Sequence, residues 1–283
     1  MNAIAGISQM TEIRPGCRYL STWAFGAALL LAQAPAQTTV PSPANDAVIP
    51  ISAGLCADMK RHHVLNPGAP VGCERLSLVR FGYVGFDERF RDDGQIVVMD
   101  AAADHVLQAF ITLRIRKFPI ASARLMNEFD GDDDASMDRN NTSAFNVRPI
   151  TGGGAISLHA YALAIDVNPL QNPYLTRSSG TLAVSPKAGS AYVRREPIRP
   201  GMAEPILNVL ADQGFPIWGG AWHEPIDYQH FQVSRKLAEQ LAQSSPADAR
   251  ALFERHVQQY RDCRQKAGGD TDSARQSCAA AEP

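Results

Sequence analysis

Residues 157–166 read SLHAYALAID, and they place His159 and Asp166 in one apolar segment. The spacing of seven residues fits neither one face of a helix nor one face of a strand, because those faces repeat every 3.6 and 2 residues. We therefore expect a turn that presents His159, followed by a strand over 162–169 that carries Asp166 and ends at Pro169.

A second cluster, DYQHFQ at 227–232, adds His230. Two histidines and one carboxylate are a familiar ligand set for catalytic zinc, which keeps its fourth position open for water. From spacing alone, a hydrogen-bonded histidine beside a surface aspartate remains an open alternative. His223 and Glu224 compete as ligand and base, but Pro225 predicts that both lie in a surface loop.

Working outward, short apolar runs and helical spacing predict alternating strands and helices. Strands are expected within 76–98, 121–129, 143–150 and 216–222. Helices are expected at 100–117 with Asp100 as the N-cap, at 203–213 ended by Gly214, and as a pair over 235–263 broken near Pro246 and followed by a polar tail. The acidic turn at 130–134 does not match the EF-hand order of ligands, so we expect a solvated acidic loop rather than a calcium site.

The first residues have the features of an export signal. Arg14 and Arg18 precede an apolar run at 23–32 and a small-x-small pattern ending at Ala36. The run is shorter than the roughly 20 residues that span a bilayer. We predict a signal peptide at 1–36, a linker over 37 to about 50, and no stable membrane insertion after cleavage; an uncleaved interfacial anchor is the alternative.

The cysteines agree with export. Cys17 lies in the predicted signal and leaves an even four, which suggests two disulfides in an exported chain. Pairs Cys56–Cys73 and Cys263–Cys278 would each close a local loop, although four cysteines allow three connectivities.

Composition bounds the function class. Apolar residues make up 45% and charged residues 20% of the 283, which is typical of a soluble globular protein. The formal charge of -2 provides no basic footprint for phosphates. We therefore expect no nucleic-acid partner.

The pattern SxHxxAxAxD at 157–166, followed by DxxHF at 227–231, resembles the M15 family of metallopeptidases. This family includes D-alanyl-D-alanine carboxypeptidases and L-alanyl-D-glutamate endopeptidases. The stretches at 132–150 and 218–232 are also similar to family members, so the resemblance covers about residues 76–235. One departure is Ala162, where the family motif has glycine; a non-glycine residue there is disfavoured if the backbone needs a positive φ.

The resemblance implies an α+β fold like that of Hedgehog and D-Ala-D-Ala peptidase domains, with helices packed on a small, mainly antiparallel sheet and zinc at one sheet edge. It divides the chain into the signal, a linker and disulfide loop at 37–75, a zinc peptidase domain at 76–235 and a C-terminal helical extension at 236–283.

The resemblance also assigns roles at the site. His159, Asp166 and His230 would hold Zn²⁺, and Asp227 would act as the catalytic acid and base. Arg148 would bind substrate or steady the oxyanion, with pairing to the acidic turn as its alternative. Ser157 would contact substrate, although a serine that caps the following turn explains it nearly as well.

The implied substrate is the stem peptide of peptidoglycan, and the implied location is periplasmic or secreted in a bacterium. A D,D-carboxypeptidase is the leading interpretation. An L-alanyl-D-glutamate endopeptidase and a catalytically silent, zinc-containing cell-wall-binding module are the alternatives.

Overall fold

The computed structural model describes residues 45–150, 153–178 and 180–280. Its strands are β1 Ala47–Pro50, β2 Leu76–Val84, β3 Phe90–Met99, β4 Ala164–Asp166, β5 Tyr174–Ser178, β6 Thr181–Ser185, β7 Ile217–Trp218, β8 Ile226–Asp227 and β9 His230–Gln232. Its helices are α1 Ala53–Arg61, α2 Ala103–Ile115, α3 Asp133–Asp138, α4 Leu207–Ala211, α5 Arg235–Gln243, α6 Pro246–Lys266 and α7 Asp272–Ala280. This mixture of helices and small antiparallel sheets confirms the α+β prediction.

The first sheet supports α2. It has the order β1-β2-β3 with both pairings antiparallel. Phe110 of α2 is buried and stacks on Phe81 of β2, with ring centroids 3.9 Å apart. Asp100 does not cap this helix as predicted, because its carboxylate accepts from Ala101 N and pairs with Arg75. The helix instead begins after Ala102, without a side-chain cap.

The other two sheets carry the chemical residues. One has the order β4-β9-β7 and the other the order β6-β5-β8. The β4–β9 register sets Asp166 directly opposite His230, and the β5–β8 register sets Tyr174 opposite Asp227. Residues far apart in sequence therefore become cross-strand neighbours.

The two helices predicted over 235–263 are present as α5 and α6, and α6 begins at Pro246. Buried side chains of both, including Leu237, Leu241 and Phe253, join the same hydrophobic cluster as Phe110 and Phe231. The segment predicted as a polar tail contains the helix α7, which Cys263–Cys278 links to α6. The Cys56–Cys73 disulfide likewise ties α1 to the turn before β2.

Two predicted strands are absent. Residues 121–129 lead into a 3-10 turn at Met126–Phe129, and the Asn141 side chain bonds Arg124 N and O where a neighbouring strand would. Residues 143–150 are held by isolated bridges and single bonds to different segments, such as the Ser143–Asp166 bridge and the bonds of Phe145 N to Val97 O and Val147 N to Val64 O. Because no one neighbour runs alongside either segment, neither forms a continuous ladder.

The predicted linker is shorter than expected, since residues 47–50 form β1 on the edge of the first sheet. The predicted signal peptide lies outside the described residues. Within the described part of the chain, no helix has the length and apolar character needed to cross a membrane.

Candidate metal centre

A short 3-10 turn, Leu158–Tyr161, presents His159, as the seven-residue spacing predicted. Ser157 caps this turn, because its Oγ accepts from His159 N at 3.3 Å. The imidazole Nδ1–H donates to the carbonyl of Ala144. This bond assigns the proton to Nδ1 and leaves Nε2 of His159 as a bare acceptor.

The turn ends at Ala162 with φ 57° and ψ 33°, in the left-handed region. Here the family motif has glycine, for which this conformation is free of side-chain clash. For alanine it costs about 1–2 kcal/mol. Ala162 is fully buried, its carbonyl accepts from Met99 N, and its N–H donates to His159 O. The surrounding bonds thus hold the strained residue in place and return the chain directly into β4.

Three side chains converge where β4 meets β9. His159 Nε2 lies 3.1 Å from Asp166 Oδ2, and His230 Nδ1 lies 3.0 Å from Asp166 Oδ1. The two imidazole nitrogens are 3.2 Å apart. Asp166 is the last residue of β4 and His230 the first of β9, and all three residues are buried.

The donor pattern of this cluster fits a cation. His230 Nε2–H donates to Gln232 Oε1 at 2.7 Å, so Nδ1 is the nitrogen without a hydrogen in the neutral imidazole. When both imidazoles are neutral, two nitrogens without a hydrogen and a carboxylate therefore face one another. Tetrahedral zinc with bonds of about 2.0–2.2 Å separates its ligand atoms by about 3.3–3.6 Å. The two imidazole nitrogens are 3.2 Å apart, and one ligand atom from each of the three residues lies within 4.8 Å of the others. The residues present thus suit a divalent metal with nitrogen and oxygen ligands.

The electrostatics of the metal-free cluster lead to the same conclusion. Burial opposes ionisation of Asp166, but the charges and hydrogen bonds of His159 and His230 outweigh it and lower the Asp166 pKa. Burial also opposes protonation of His230, yet the bond to Asp166 outweighs it and raises the His230 pKa to about 8. Without metal, a proton on His230 therefore supplies the positive charge beside Asp166. A bound metal ion would displace that proton.

Asp227 is a buried carboxyl at the same site. Burial, and then the negative charge of Asp166, raise the pKa of Asp227 to about 7, while His230 and Arg148 oppose the rise. Its Oδ1 has no hydrogen-bond partner among the described residues. A carboxyl with a pKa near neutrality can both accept and donate a proton at working pH, as general acid–base catalysis requires.

A cleft of about 890 Å³ joins these groups. Its walls include His159, His230, Asp227, Arg148 and Ser157, so the structure brings the sequence-predicted residues together, with Asp166 buried just behind His159 and His230. Arg148 lines the cleft and also forms an ion pair with Asp133 of the acidic turn, so its pairing with that turn is observed and its contact with substrate stays a prediction. Ser157 caps its turn and reaches the cleft wall as well.

His223 and Glu224, the alternative candidates for ligand and base, are not part of the three-residue cluster. His223 is exposed, as expected for a surface loop. Glu224 accepts from Thr176 Oγ1 and Arg177 N, which holds it on β5 and away from the cluster. Among the aromatic residues, Phe231 is core, whereas Trp222 lines the cleft with its ring centroid 5.5 Å from that of His230.

The acidic turn is more ordered than the predicted solvated loop. Asp132 caps α3 by accepting from Ala135 N at 3.0 Å. Asp133 is engaged by Asn146 and Arg148. Asp132 and Asp134 are exposed, and Asp134 makes no bond to a described residue.

Sequence reasoning missed three contributors: the Ala144 carbonyl, Gln232 and Tyr174. Gln232 carried a usable signal, since residues two apart on a strand share a face and it follows His230 by two. Tyr174 is a cleft residue opposite Asp227, and burial followed by the Asp227 charge raises its pKa, so its hydroxyl stays protonated. Its position depends on strand pairing, which local sequence does not reveal.

Three candidate ligands and a buried carboxyl of raised pKa beside an open cleft form an arrangement typical of metal-dependent hydrolases. Residues 151–233 match the family model described as D-alanyl-D-alanine carboxypeptidase, and this segment contains His159, Asp166, Asp227 and His230. Over this segment the chain is similar to M15 family peptidases, which agrees with the resemblance that its two motifs carry. No curated protein and no solved structure matched the chain.

Proposed function

We propose that this protein is a zinc-dependent peptidase that hydrolyses peptide bonds in peptidoglycan stem peptides, with D,D-carboxypeptidase activity. The observation that carries the proposal is the convergence of three potential metal ligands, on His159, Asp166 and His230, beside the buried carboxyl of Asp227 in one cleft. The family match over 151–233 supports peptide-bond hydrolysis as the reaction.

His159, Asp166 and His230 would hold the metal through Nε2, a carboxylate oxygen and Nδ1. When bound there, zinc supplies Lewis acidity that activates water and polarises a carbonyl. The bonds to Ala144 O and Gln232 Oε1 keep both imidazoles in the ligating tautomer.

Asp227 carries the proton in this proposal. Its carboxylate takes a proton from the attacking water and then delivers it to the nitrogen of the departing amine. Burial and the nearby Asp166 charge, which raise its pKa to about 7, suit both halves of that task. Arg148 binds a substrate carboxylate, because a guanidinium can donate two parallel hydrogen bonds to it. A stem peptide ending in D-alanine offers such a group.

Export completes the proposal. Disulfides Cys56–Cys73 and Cys263–Cys278 agree with an oxidising compartment, where peptidoglycan is found. We propose a periplasmic or secreted location after removal of residues 1–36. Sequencing the N-terminus of the mature protein from the native host should read from residue 37.

The decisive experiment combines metal analysis with cleavage of defined muropeptides followed by mass spectrometry. We expect one zinc per chain and loss of a single terminal alanine. Asp227→Asn should keep the zinc and abolish cleavage, whereas Glu224→Gln, which removes the rival carboxylate and keeps its acceptor oxygen, should cleave normally.

Each other outcome has a distinct meaning. Cleavage of the bond between L-alanine and D-glutamate would replace the carboxypeptidase assignment with that of the endopeptidase. Bound zinc without any cleavage by the wild type would favour a silent cell-wall-binding module. Absence of metal binding, or zinc retained after His159→Ala, would refute the ligand assignment.

A further inference from the structure

We propose that Asp133 is a positioning residue that orients the Arg148 guanidinium toward the cleft. The acidic turn, which has no assigned role in the reaction, would thereby determine how strongly the site prefers a substrate with a free carboxylate. This inference rests on the proposed function of Arg148 as the carboxylate-binding residue.

Asp133 is held rigidly from its own side. The preceding residue, Asp132, caps α3, so the backbone of Asp133 lies in the first turn of a helix. Its Oδ1 accepts from Asn146 Nδ2 at 2.9 Å, and the same Nδ2 donates to Gly131 O at 2.9 Å. Asn146 is only 3% exposed, so this anchor is part of the protein interior. The second carboxylate oxygen, Oδ2, is thereby fixed in direction, and it pairs with Arg148 Nε.

The pairing through Nε leaves the far end of the guanidinium available. A guanidinium has five N–H donors arranged in a plane. The Asp133 carboxylate forms an ion pair with Arg148 on its Nε side, where Nε makes no hydrogen bond to a described residue, and Nη1 donates one hydrogen to Pro149 O at 3.3 Å. Within the described residues, Nη2 has no acceptor. The remaining hydrogens of Nη1 and Nη2 form the end-on pair that binds a carboxylate through two parallel bonds.

Burial makes this pair more than a surface contact. The side chains of Arg148 and Asp133 are 25% and 28% exposed, and both line the cleft. Arg148 is also close enough to Asp227 for its charge to oppose the rise of the Asp227 pKa. Without Asp133, the long arginine side chain would be free to sample solvent and would no longer be pre-organised for the substrate.

The neighbouring Asp134 provides a matched control. It carries the same charge on the same wall of the cleft, but it is exposed and does not contact Arg148. If any negative charge on the cleft wall affected substrate binding, Asp133→Asn and Asp134→Asn would change that binding equally. An effect through Arg148 would appear for Asp133→Asn only. Asparagine at 133 keeps an oxygen that can accept from Asn146, so the start of α3 should be preserved.

The test measures kcat and KM for a stem-type peptide ending in D-alanyl-D-alanine, as the free acid and as the carboxamide. For Asp133→Asn we expect KM for the acid to rise about tenfold, as for loss of a charge-assisted hydrogen bond, with kcat nearly unchanged. The preference for acid over amide should fall by the same factor. Asp134→Asn should keep the wild-type preference, and Asp133→Asn should add nothing in an Arg148→Ala background.

Equilibrium binding of the same two peptides to metal-free protein, followed by NMR titration, gives a readout that needs no turnover. If the wild type fails to cleave, the proposed function fails, but loss of acid preference in Asp133→Asn would still support the positioning role. Equal effects of the two asparagine variants, or an unchanged acid preference in Asp133→Asn, would overturn it. Should Asp133→Asn not fold, Asp133→Glu keeps the charge, displaces the carboxylate by one methylene, and should also weaken the preference.

Discussion

Replacing Gln232 with leucine should weaken zinc binding without touching a ligand. Gln232 Oε1 accepts the Nε2 proton of His230 at 2.7 Å and so keeps Nδ1 free to bind the metal. Leucine has nearly the same volume but no acceptor. The imidazole would then be free to rotate or to carry its proton on Nδ1, where the proton competes with zinc.

The structure indicates the size of the effect. Loss of such an orienting hydrogen bond weakens metal binding by about 10- to 100-fold, or about 1.4–2.7 kcal/mol. Gln232 is only partly buried, so water can reach Nε2 and replace part of the lost bond. We therefore expect the lower end, about tenfold.

A competition titration with a zinc-selective chelator at pH 7 measures this directly. Gln232→Glu restores an acceptor and should bind zinc at least as tightly as the wild type. Gln229→Leu is the control, because Gln229 lies in the same cleft but donates to Met137 Sδ rather than bonding a ligand. A zinc affinity of Gln232→Leu within twofold of the wild type would show that this hydrogen bond does not orient His230.

Three further predictions concern stability. Because the folded-state pKa of Asp227 is raised from 3.8 to about 7, the stability due to its protonation is present below pH 4 and is lost as pH rises toward 7. Thermal melts of the metal-free proteins should therefore show the melting temperature of Asp227→Asn rising relative to that of the wild type between pH 4 and pH 7. Joint replacement of Cys56 and Cys73 by serine opens a loop of sequence separation 17 and should lower the free energy of unfolding by about 3 kcal/mol in urea titrations. Ala162→Gly exchanges relief of the positive φ for loss of a buried methyl and should stay within about 1 kcal/mol of wild type, whereas Ala162→Val should destabilise by about 3 kcal/mol or more.

Local patterns predicted the elements whose stability is local. The apolar spacing behind α2, the break at Pro246 between α5 and α6, and the short-range disulfides were all visible in sequence because each depends on residues within a few turns of one another. The same reasoning failed for 121–129 and 143–150. Both segments are apolar enough for strands, but their backbone hydrogen bonds go to several distant segments. A local sequence pattern does not show which distant segments these are.

The residue types at the site could likewise be recognised in the sequence. The two motifs predicted His159, Asp166, Asp227 and His230 as site residues without any knowledge of the geometry. The sequence also marked Ala162 as a departure from the glycine of the family motif, and the structure gave it the positive φ that makes this departure strained. Ligand types and spacing still left a surface aspartate and an ordinary histidine as alternatives, since a spacing of seven has no periodic meaning by itself.

Only the tertiary structure decided that these groups meet. The β4–β9 register joins Asp166 to His230 across 64 residues of sequence, and the β5–β8 register sets Tyr174 opposite Asp227. A shift of one residue in either pairing would turn the side chains to opposite faces of the sheet. The raised Asp227 pKa and the orientation of Arg148 by Asp133 follow from the same long-range packing, because burial and charge proximity are properties of the folded chain.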